Sequence, residues 1–163
     1  AGISLNLGGG NIDSQIIDCI AESFNLKIGL QSSEKLKMTV GSLYEGDDSC
    51  TVVNGRDITS GRPRSVSVSS RDIADSLRLF ADKIVEYTGL ILAKLPAEVS
   101  ASVWHNGIFL SGGGARLIGL DDYMARALQM DVAAAQEPQM AAVLGGGAAI
   151  GNDDILETVR LDY

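Results

Sequence analysis

The most informative stretch of the sequence is Gly107-Ile-Phe-Leu-Ser-Gly-Gly-Gly-Ala-Arg-Leu-Ile-Gly-Leu120, which has the pattern of a strand, a glycine turn and a helix. A short apolar run ends at three glycines, and a helix is expected to begin just after them. Because glycine has no Cβ, the backbone of such a turn can approach a ligand closely, and a nearby helix N-terminus offers unpaired N–H groups to oxygen atoms. The pattern predicts a wall of a nucleotide site. A tight strand-to-helix turn without a ligand would explain the same glycines.

A second segment, residues 33–42, favours the nucleotide interpretation. It reads Ser-Glu-Lys-Leu-Lys-Met-Thr-Val-Gly-Ser. Glu34 and Lys37 lie three apart, so on a helix they share a face and can both address one ligand. The carboxylate could accept hydrogen bonds from two ribose hydroxyls, and the lysine could lie against adenine or reach a phosphate. An ordinary exposed ion pair has the same spacing. Lys35 is expected to point elsewhere and Leu36 to pack into the core.

Together the two segments resemble the bacterial actin-like cell-shape proteins of the MreB family. In that family a Glu-Arg-Ile-Lys stretch, followed by Gly-Ser-x-Tyr, sits across the adenosine pocket from a Gly-Gly-Gly-Ala stretch. The corresponding residues here are 34–37, 41–44 and 112–115. Further matches fall in the same order, at residues 9–13, 55–63 and 136–138. The likeness covers about residues 3–150, and five ordered motifs argue against chance.

The resemblance implies an α/β fold that is the second half only of the actin-like ATPase fold, which is shared with Hsp70 and RNase H. Residues 1–10 and 100–163 would form part of its lower α/β subdomain, and residues 11–99 an inserted upper α+β subdomain. The family's phosphate loops, catalytic acid and membrane-facing loop have no counterpart in these residues. The glycines at 8–10 look like a phosphate hairpin, but Asn6 and Asn11 replace its acid and hydroxyl. We therefore expect an excised C-terminal half.

What the resemblance implies about function concerns the longer parent protein. The parent would bind ATP with Mg²⁺ between two halves, hydrolyse it slowly, polymerise beneath the membrane in the cytoplasm and organise cell-wall synthesis. Its partners would be copies of itself, cell-wall synthesis proteins and membrane-associated shape proteins. This chain would supply the adenosine side and be inactive alone, without catalytic or metal-binding residues. The implied site residues are Glu34, Lys35, Leu36, Lys37, Gly112, Gly113, Gly114 and Ala115.

Two alternatives stay open at this point. A sugar-kinase or chaperone-type ATPase of the same wider fold group would need longer insertions or an extra domain. A pure interaction module with a degenerate pocket would need neither phosphate loop. Inspection of the single histidine, His105, and of the serines gives no catalytic constellation.

Composition limits the remaining possibilities. The 163 residues are 45% hydrophobic, which is enough for a real core, and the formal net charge is -8, with a pI of about 4.5. Nucleic acid would be repelled by this charge. No apolar run is long enough for a membrane span, and no membrane contact is expected from this chain. Cys19 and Cys50 lack metal-ligand spacing and are expected to be free thiols.

Periodicity and turn signals predict the secondary structure. Asn54-Gly55 is expected to be a turn, Ser69 and Asp72 to form a capping box, and Gly89 to permit close packing of a long helix. An exposed strand at residues 3–7 would offer an edge for a dimer. The predicted strands are 3–7, 51–53, 66–68, 108–111 and 132–135, and the predicted helices are 13–24, 33–41, 70–95, 120–128 and 138–150.

Overall fold

The computed structural model describes residues 2–159. Residue 1 and residues 160–163, which belong to the predicted lower subdomain, lie outside the described residues. In chain order the elements are α1 (Gly9–Phe24), β1 (Leu26–Lys27), α2 (Leu30–Val40), β2 (Cys50–Asp57), β3 (Pro63–Ser69), α3 (Ser70–Leu92), α4 (Ala97–Asn106), β4 (Ile108–Leu110), α5 (Leu120–Leu128), β5 (Val132–Ala134), α6 (Ala141–Ile150) and α7 (Asp153–Val159). The division into two subdomains stays a prediction.

A three-stranded antiparallel sheet, in the order β1-β2-β3, forms the middle of the chain. β2 and β3 make a hairpin whose chain reversal lies at residues 58–62. The predicted turn at Asn54-Gly55 is wrong, because both residues lie inside β2. Gly55 has a different reason: a Cβ there would lie 2.6 Å from the Lys27 carbonyl oxygen, so glycine lets β1 approach β2.

The predicted strand at residues 3–7 is also wrong, since residues 2–7 adopt no regular strand. A strand needs a neighbour for its N–H and C=O groups, and these residues pair with none of the described strands. The edge-pairing route to a dimer loses its basis. α1 begins at Gly9, four residues earlier than predicted, and the Gly8 N–H donates to the Asn11 side-chain oxygen at 2.8 Å. The glycines at 8–10 therefore enter a helix, as expected, rather than a phosphate hairpin.

α2 begins at Leu30, earlier than predicted, and its N-cap is Gly29 although serine, a preferred N-cap residue, stands at 32 and 33. Ser33 is fully buried, and its hydroxyl donates to the Asp13 carbonyl oxygen of α1 at 2.8 Å. A serine that bonds a neighbouring helix is not available as a cap. The helix ends at Val40, before Gly41, as the glycine signal predicts.

α3 confirms the predicted capping box, because the Ser69 N–H donates to Asp72 Oδ2 at 2.7 Å. The helix stops at Leu92, and an unpredicted helix, α4, follows Pro96 and contains His105 in its last turn. Gly89 has open space where a Cβ would point, so the close-packing explanation for it is wrong. Near the C-terminus α6 starts at Ala141 rather than 138, and α7 was not predicted.

The hydrophobic core lies between α1, α2, α3 and the three-stranded sheet, and α5 adds Leu120 and Met124 to it. Beside it, β4 and β5 form a separate two-stranded parallel sheet. Helix α5 matches its predicted bounds. Among residues 2–159 no helix combines the length and apolar character that crossing a membrane requires.

Candidate nucleotide site

The glycine turn lies at the carboxyl end of β4. Gly112 has φ of +85°, a conformation that favours glycine, and residues 113–116 form one turn of 3₁₀ helix. A Cβ on Gly113 would lie 3.6 Å from Gln139 Nε2, and one on Gly114 would lie 3.7 Å from the Phe80 ring, both ordinary contact distances. Of these three glycines, only Gly112 is therefore required by the described chain, and the reason is its backbone conformation rather than packing. The other two keep the exposed backbone of this turn free of side chains.

The loop after β5 meets the glycine turn. The Gly112 N–H donates to the Pro138 carbonyl oxygen at 2.6 Å, and Arg116 Nη1 donates to Gln139 Oε1 at 3.2 Å. Both loops follow the carboxyl ends of parallel strands, which is where open α/β sheets bind ligands. The sequence interpretation did not include Arg116 or Gln139 among the site residues. The Gln-Glu-Pro motif at residues 136–138 was the available signal for the second loop.

The other predicted wall is α2, and its four site residues point in different directions. Glu34 and Lys35 are exposed, whereas Leu36 is buried in the core, as predicted. Lys37 Nζ lies 2.8 Å from Asp13 Oδ1 and also donates to the Gly9 carbonyl oxygen at 3.2 Å. The ammonium group is thus engaged by α1, while the Glu34 carboxylate faces solvent.

Asp13 is a second residue that the sequence interpretation missed. Its side chain is 7% exposed and that of Lys37 is 16% exposed, so the ion pair is largely withdrawn from water. A buried carboxylate needs a cation or hydrogen bonds. The signal was an acid within the apolar spacing of Ile12, Ile16 and Ile20. The ion pair holds α2 against the N-terminal half of α1, and it thereby also positions Glu34, which lies on α2.

Residues 41–44 connect α2 to the glycine-turn region. Ser42 forms an isolated parallel bridge with Ile118, and the Leu43 N–H donates to the Ile118 carbonyl oxygen at 2.9 Å. Gly41 is needed at the start, because a Cβ there would lie 2.2 Å from the Lys37 carbonyl oxygen. No hydrogen bond or ion pair within residues 2–159 joins 34–37 directly to 112–115. The two walls are therefore held in place through this connection.

Two tyrosine hydrogen bonds join α5 to its neighbours, one to the connection at residues 41–44 and one to α3. The Tyr44 hydroxyl donates to Asp122 Oδ2 at 2.7 Å, and the Tyr123 hydroxyl donates to Asp82 Oδ1 at 2.5 Å. In each case the hydrogen bond to the aspartate is the main cause that raises the pKa of the tyrosine above its usual value near 10. Ionisation would place two negative charges side by side, so each tyrosine holds its proton and its bond at neutral pH.

The described residues are suited to binding a ligand rather than to holding a metal ion. Within residues 2–159 no group of three His, Cys, Asp or Glu side chains is placed to hold a metal ion. An exposed carboxylate on α2 and an uncovered glycine backbone after β4 suit the hydroxyls and flat base of a nucleoside. Of the cations in the two walls, Lys37 is engaged by Asp13 and Arg116 by the Gln139 side chain, whereas Lys35 is exposed.

Comparisons with known proteins indicate the family of the chain. Residues 2–158 match the family model described as MreB/Mbl protein. The cell shape-determining protein Mbl of Bacillus cereus is 34% identical over 154 residues, which are 94% of this chain and 46% of that relative. Cell shape-determining protein MreB of Escherichia coli is 30% identical over 148 residues, or 90% of this chain and 43% of the relative. The chain thus spans about half the length of the curated relatives it matches.

Solved structures give the same result for the fold. The crystal structure of MreB5 of Spiroplasma citri bound to AMPPNP has a TM-score of 0.85 and 27% identity, covering 95% of this chain and 46% of that one. A structure of the same protein bound to ADP has the same TM-score. The MamK double helical filament, at 21% identity and a TM-score of 0.70, shows the fold alone. The expectation of a partial actin-like fold is confirmed.

Proposed function

The chain belongs to the MreB/Mbl protein family, and from this premise we propose that it supplies the adenosine side of the nucleotide cleft in a longer actin-like protein. The observation that carries the proposal is the glycine turn. Gly113 and Gly114 have room for a Cβ within the chain, and they follow the carboxyl end of a parallel strand. Their lack of side chains is then explained by a ligand that lies against the backbone.

Each site residue has a distinct role in this proposal. Glu34 accepts hydrogen bonds from the ribose hydroxyls, and residues 112–115 approach the adenine. Lys37 acts through its ion pair with Asp13, which holds α2 and therefore Glu34 in position. Lys35 and Leu36 belong to the same motif, but Leu36 acts by filling the core. Support for a nucleotide ligand comes from the AMPPNP and ADP bound to the Spiroplasma citri relative.

The phosphates and Mg²⁺ would be held elsewhere in the longer protein. Hydrolysis requires groups that stabilise charge on the γ-phosphate, usually together with Mg²⁺. Because the described residues present no metal-binding cluster, we expect no ATP turnover by this chain alone. ATP hydrolysis would be a slow activity of the complete protein.

At the level of the cell, we propose the function that the names of the relatives state. The Mbl and MreB relatives are cell shape-determining proteins, and MamK forms a double helical filament. The longer protein would polymerise with copies of itself beneath the cytoplasmic membrane and organise cell-wall synthesis through partner proteins there. Family membership removes the sugar-kinase and chaperone-type alternatives. A scaffold with a degenerate pocket would bind no nucleotide.

The experiment that tests the proposal is calorimetric titration of the full-length protein with ATP. Replacing Glu34 with Ala should weaken binding by about 1 to 3 kcal/mol, because it leaves polar partners unpaired. The matched control is Glu22→Ala, which removes an exposed carboxylate from α1 rather than α2 and should leave the affinity unchanged. Equal affinities of the wild type and the Glu34 variant would remove Glu34 from the pocket. No binding by the wild type would favour the scaffold.

The glycine turn can be tested in the same titration. Gly113→Val places a branched side chain at a position where a Cβ has one neighbouring atom within 4 Å, Gln139 Nε2, and there it would block the ligand. We expect the nucleotide affinity to fall more than the thermal stability. If the variant kept full affinity, the glycines would have to be explained by chain geometry alone.

A further inference from the structure

A narrow groove runs between α2 and β2, on a different side of α2 from the Lys37 contacts. Its volume is about 130 Å³, and it is lined by Ser32, Lys35, Thr39, Thr51, Val52 and Asn54 together with the core residues beneath them. Consecutive residues of β2, 51–54, all contribute to it. Because successive side chains of a strand point to opposite faces, a groove that touches all four lies along the edge of the strand.

Along this edge, no described strand pairs with the backbone of β2 at residues 50–54. The bonds from the Asp57 N–H to the Arg62 carbonyl oxygen and from the Ser70 N–H to the Ser49 carbonyl oxygen show that the odd-numbered residues of β2 face β3. The even-numbered residues Cys50, Val52 and Asn54 therefore direct their N–H and C=O groups to the other side. There β1 pairs with β2 only at residues 56 and 57.

The vacant part of the sheet continues the line of β1. After Lys27 the chain leaves the sheet and enters α2 at Leu30, so within residues 2–159 no strand lies beside residues 50–54 on the side opposite β3. An unpaired strand edge is a template for another extended chain. Val52, which is 66% exposed, adds an apolar side chain at this edge. The groove is therefore a place where backbone pairing and side-chain contact are both available.

The charge of the groove indicates what would pair with it. Lys35 is the single charged residue among those that line it, and it is exposed. A ligand carboxylate placed beside this lysine would meet the one charge of the groove, and that charge has the opposite sign. Threonine and serine hydroxyls on both walls can bond to a peptide, as in other cases of strand addition.

We propose that the edge of β2 is a docking site for an extended segment of a partner protein that carries an acidic residue. The segment adds to the sheet in line with β1, exchanges backbone hydrogen bonds with Val52 and Asn54, and sets its carboxylate against Lys35. A second copy of this chain does not suit the site. Each copy carries a net charge of -8, so two copies repel each other, whereas a short segment with one carboxylate meets much less of this repulsion.

The test uses amide hydrogen exchange measured by NMR on the isotope-labelled chain. The probe is a capped five-residue peptide, valine-threonine-glutamate-threonine-valine. At ten times its Kd, bound peptide slows exchange roughly tenfold at groups it covers. We expect this slowing at Val52 and Asn54 and little change at Thr51 and Val53, whose amides already face β3. This alternation distinguishes strand addition from a contact with side chains alone.

Charge selectivity is the second readout. The glutamate peptide should bind about tenfold more tightly than the same peptide with lysine at its centre, as expected for one close charge contact. Lys35→Glu should reverse this preference. Val52→Pro removes an N–H that β3 does not use, so it should abolish binding while leaving the β2–β3 hairpin intact. If Val52→Pro unfolds the chain, the proposal is tested by whether Lys35→Glu reverses the preference for the glutamate peptide.

Three results would overturn the proposal. The first is no change at Val52 and Asn54 with about 10 mM peptide, well above the Kd of weak peptide sites. The second is equal slowing at odd and even residues of β2, which would mean a general stabilisation. The third is slowing at Val52 and Asn54 without peptide that grows with chain concentration, which would show that a second copy occupies the edge.

Discussion

Residues 9–92 and residues 97–159 differ in how they bury apolar side chains. The first region contains every member of the core cluster except Leu120 and Met124, which α5 adds from the second. In the second region large apolar side chains are exposed: Trp104 at 64%, Phe109 at 75% and Ile150 at 84%. The first region is stabilised by its own core, whereas the second mainly contributes part-buried side chains, such as Leu110, Leu117 and Val132, that pack against that core.

The difference indicates what each region is built to contact. A parallel sheet is normally covered on both faces, yet β4 and β5 form two short strands with Phe109 uncovered. α6 is almost entirely apolar but buries only Ala149. Since the chain covers 46% of its Bacillus cereus relative, we infer that the rest of such a protein covers these faces. The glycine turn lies in this second region, next to the exposed apolar faces of β4 and α6.

The largest expected effect compares the same substitution in both regions. Phe80→Ala removes a ring that is 5% exposed in α3, and Phe109→Ala removes one that is 75% exposed in β4. Loss of a buried phenylalanine costs about 3 to 5 kcal/mol, and loss of an exposed one is expected to cost within about 0.5 kcal/mol. Urea unfolding of both variants measures the contrast. Equal losses would mean that the second region has a core of its own.

A smaller effect is expected at the connection between the regions. Gly41→Ala would put a Cβ 2.2 Å from the Lys37 carbonyl oxygen, so the backbone must shift at a cost of about 1 to 3 kcal/mol. Gly89→Ala is the matched control, because its Cβ meets open space in the interior of α3. That change should stabilise the chain by up to about 1 kcal/mol. If both variants were equally stable, the tight start of the connection would not matter.

The smallest effect concerns the tyrosines that fasten α5. The pKa values of Tyr44 and Tyr123 are raised, so the folded state binds their protons more tightly than the unfolded state. Their contribution is fully present below the unfolded pKa near 10 and is lost as pH rises through the folded pKa. The double variant Tyr44→Phe, Tyr123→Phe should lose less stability between about pH 9 and 11 than the wild type.

The control for this prediction is Tyr87→Phe, because no hydrogen bond to the Tyr87 hydroxyl is present within residues 2–159. Its stability should fall with pH as steeply as that of the wild type. The urea midpoint at each pH is the measurement. A double variant that follows the wild-type curve would show that the two hydrogen bonds do not hold α5.

The sequence interpretation succeeded where local chemistry decides the structure. The capping box at Ser69 and Asp72, the bounds of α5 and the strand before the glycine turn all depend on neighbouring residues. It failed where distant contacts decide. Asn54-Gly55 has a turn signature but pairs with β3, and Ser33 has a cap signature but bonds to α1.

The same limit applies to the candidate site. The spacing of Glu34 and Lys37 predicted two groups that address one ligand, but spacing cannot reveal that Asp13, on another helix, engages the lysine. Arg116 and Gln139 meet only because the loops after β4 and β5 are brought together by parallel pairing. Local patterns therefore indicated both walls, and the tertiary contacts determine which side chains remain free.

The most direct test of the nucleotide proposal is an NMR titration of this chain with AMPPNP. If residues 34–37 and 112–115 are two walls of one site, the amide signals of Glu34 and of Gly112, Gly113 and Gly114 should shift along one saturation curve. Half a cleft predicts a Kd on the order of 1 mM or weaker, and Gly61, in the β2–β3 loop, should not shift. Shifts in one segment alone, or two curves with different midpoints, would contradict the single site.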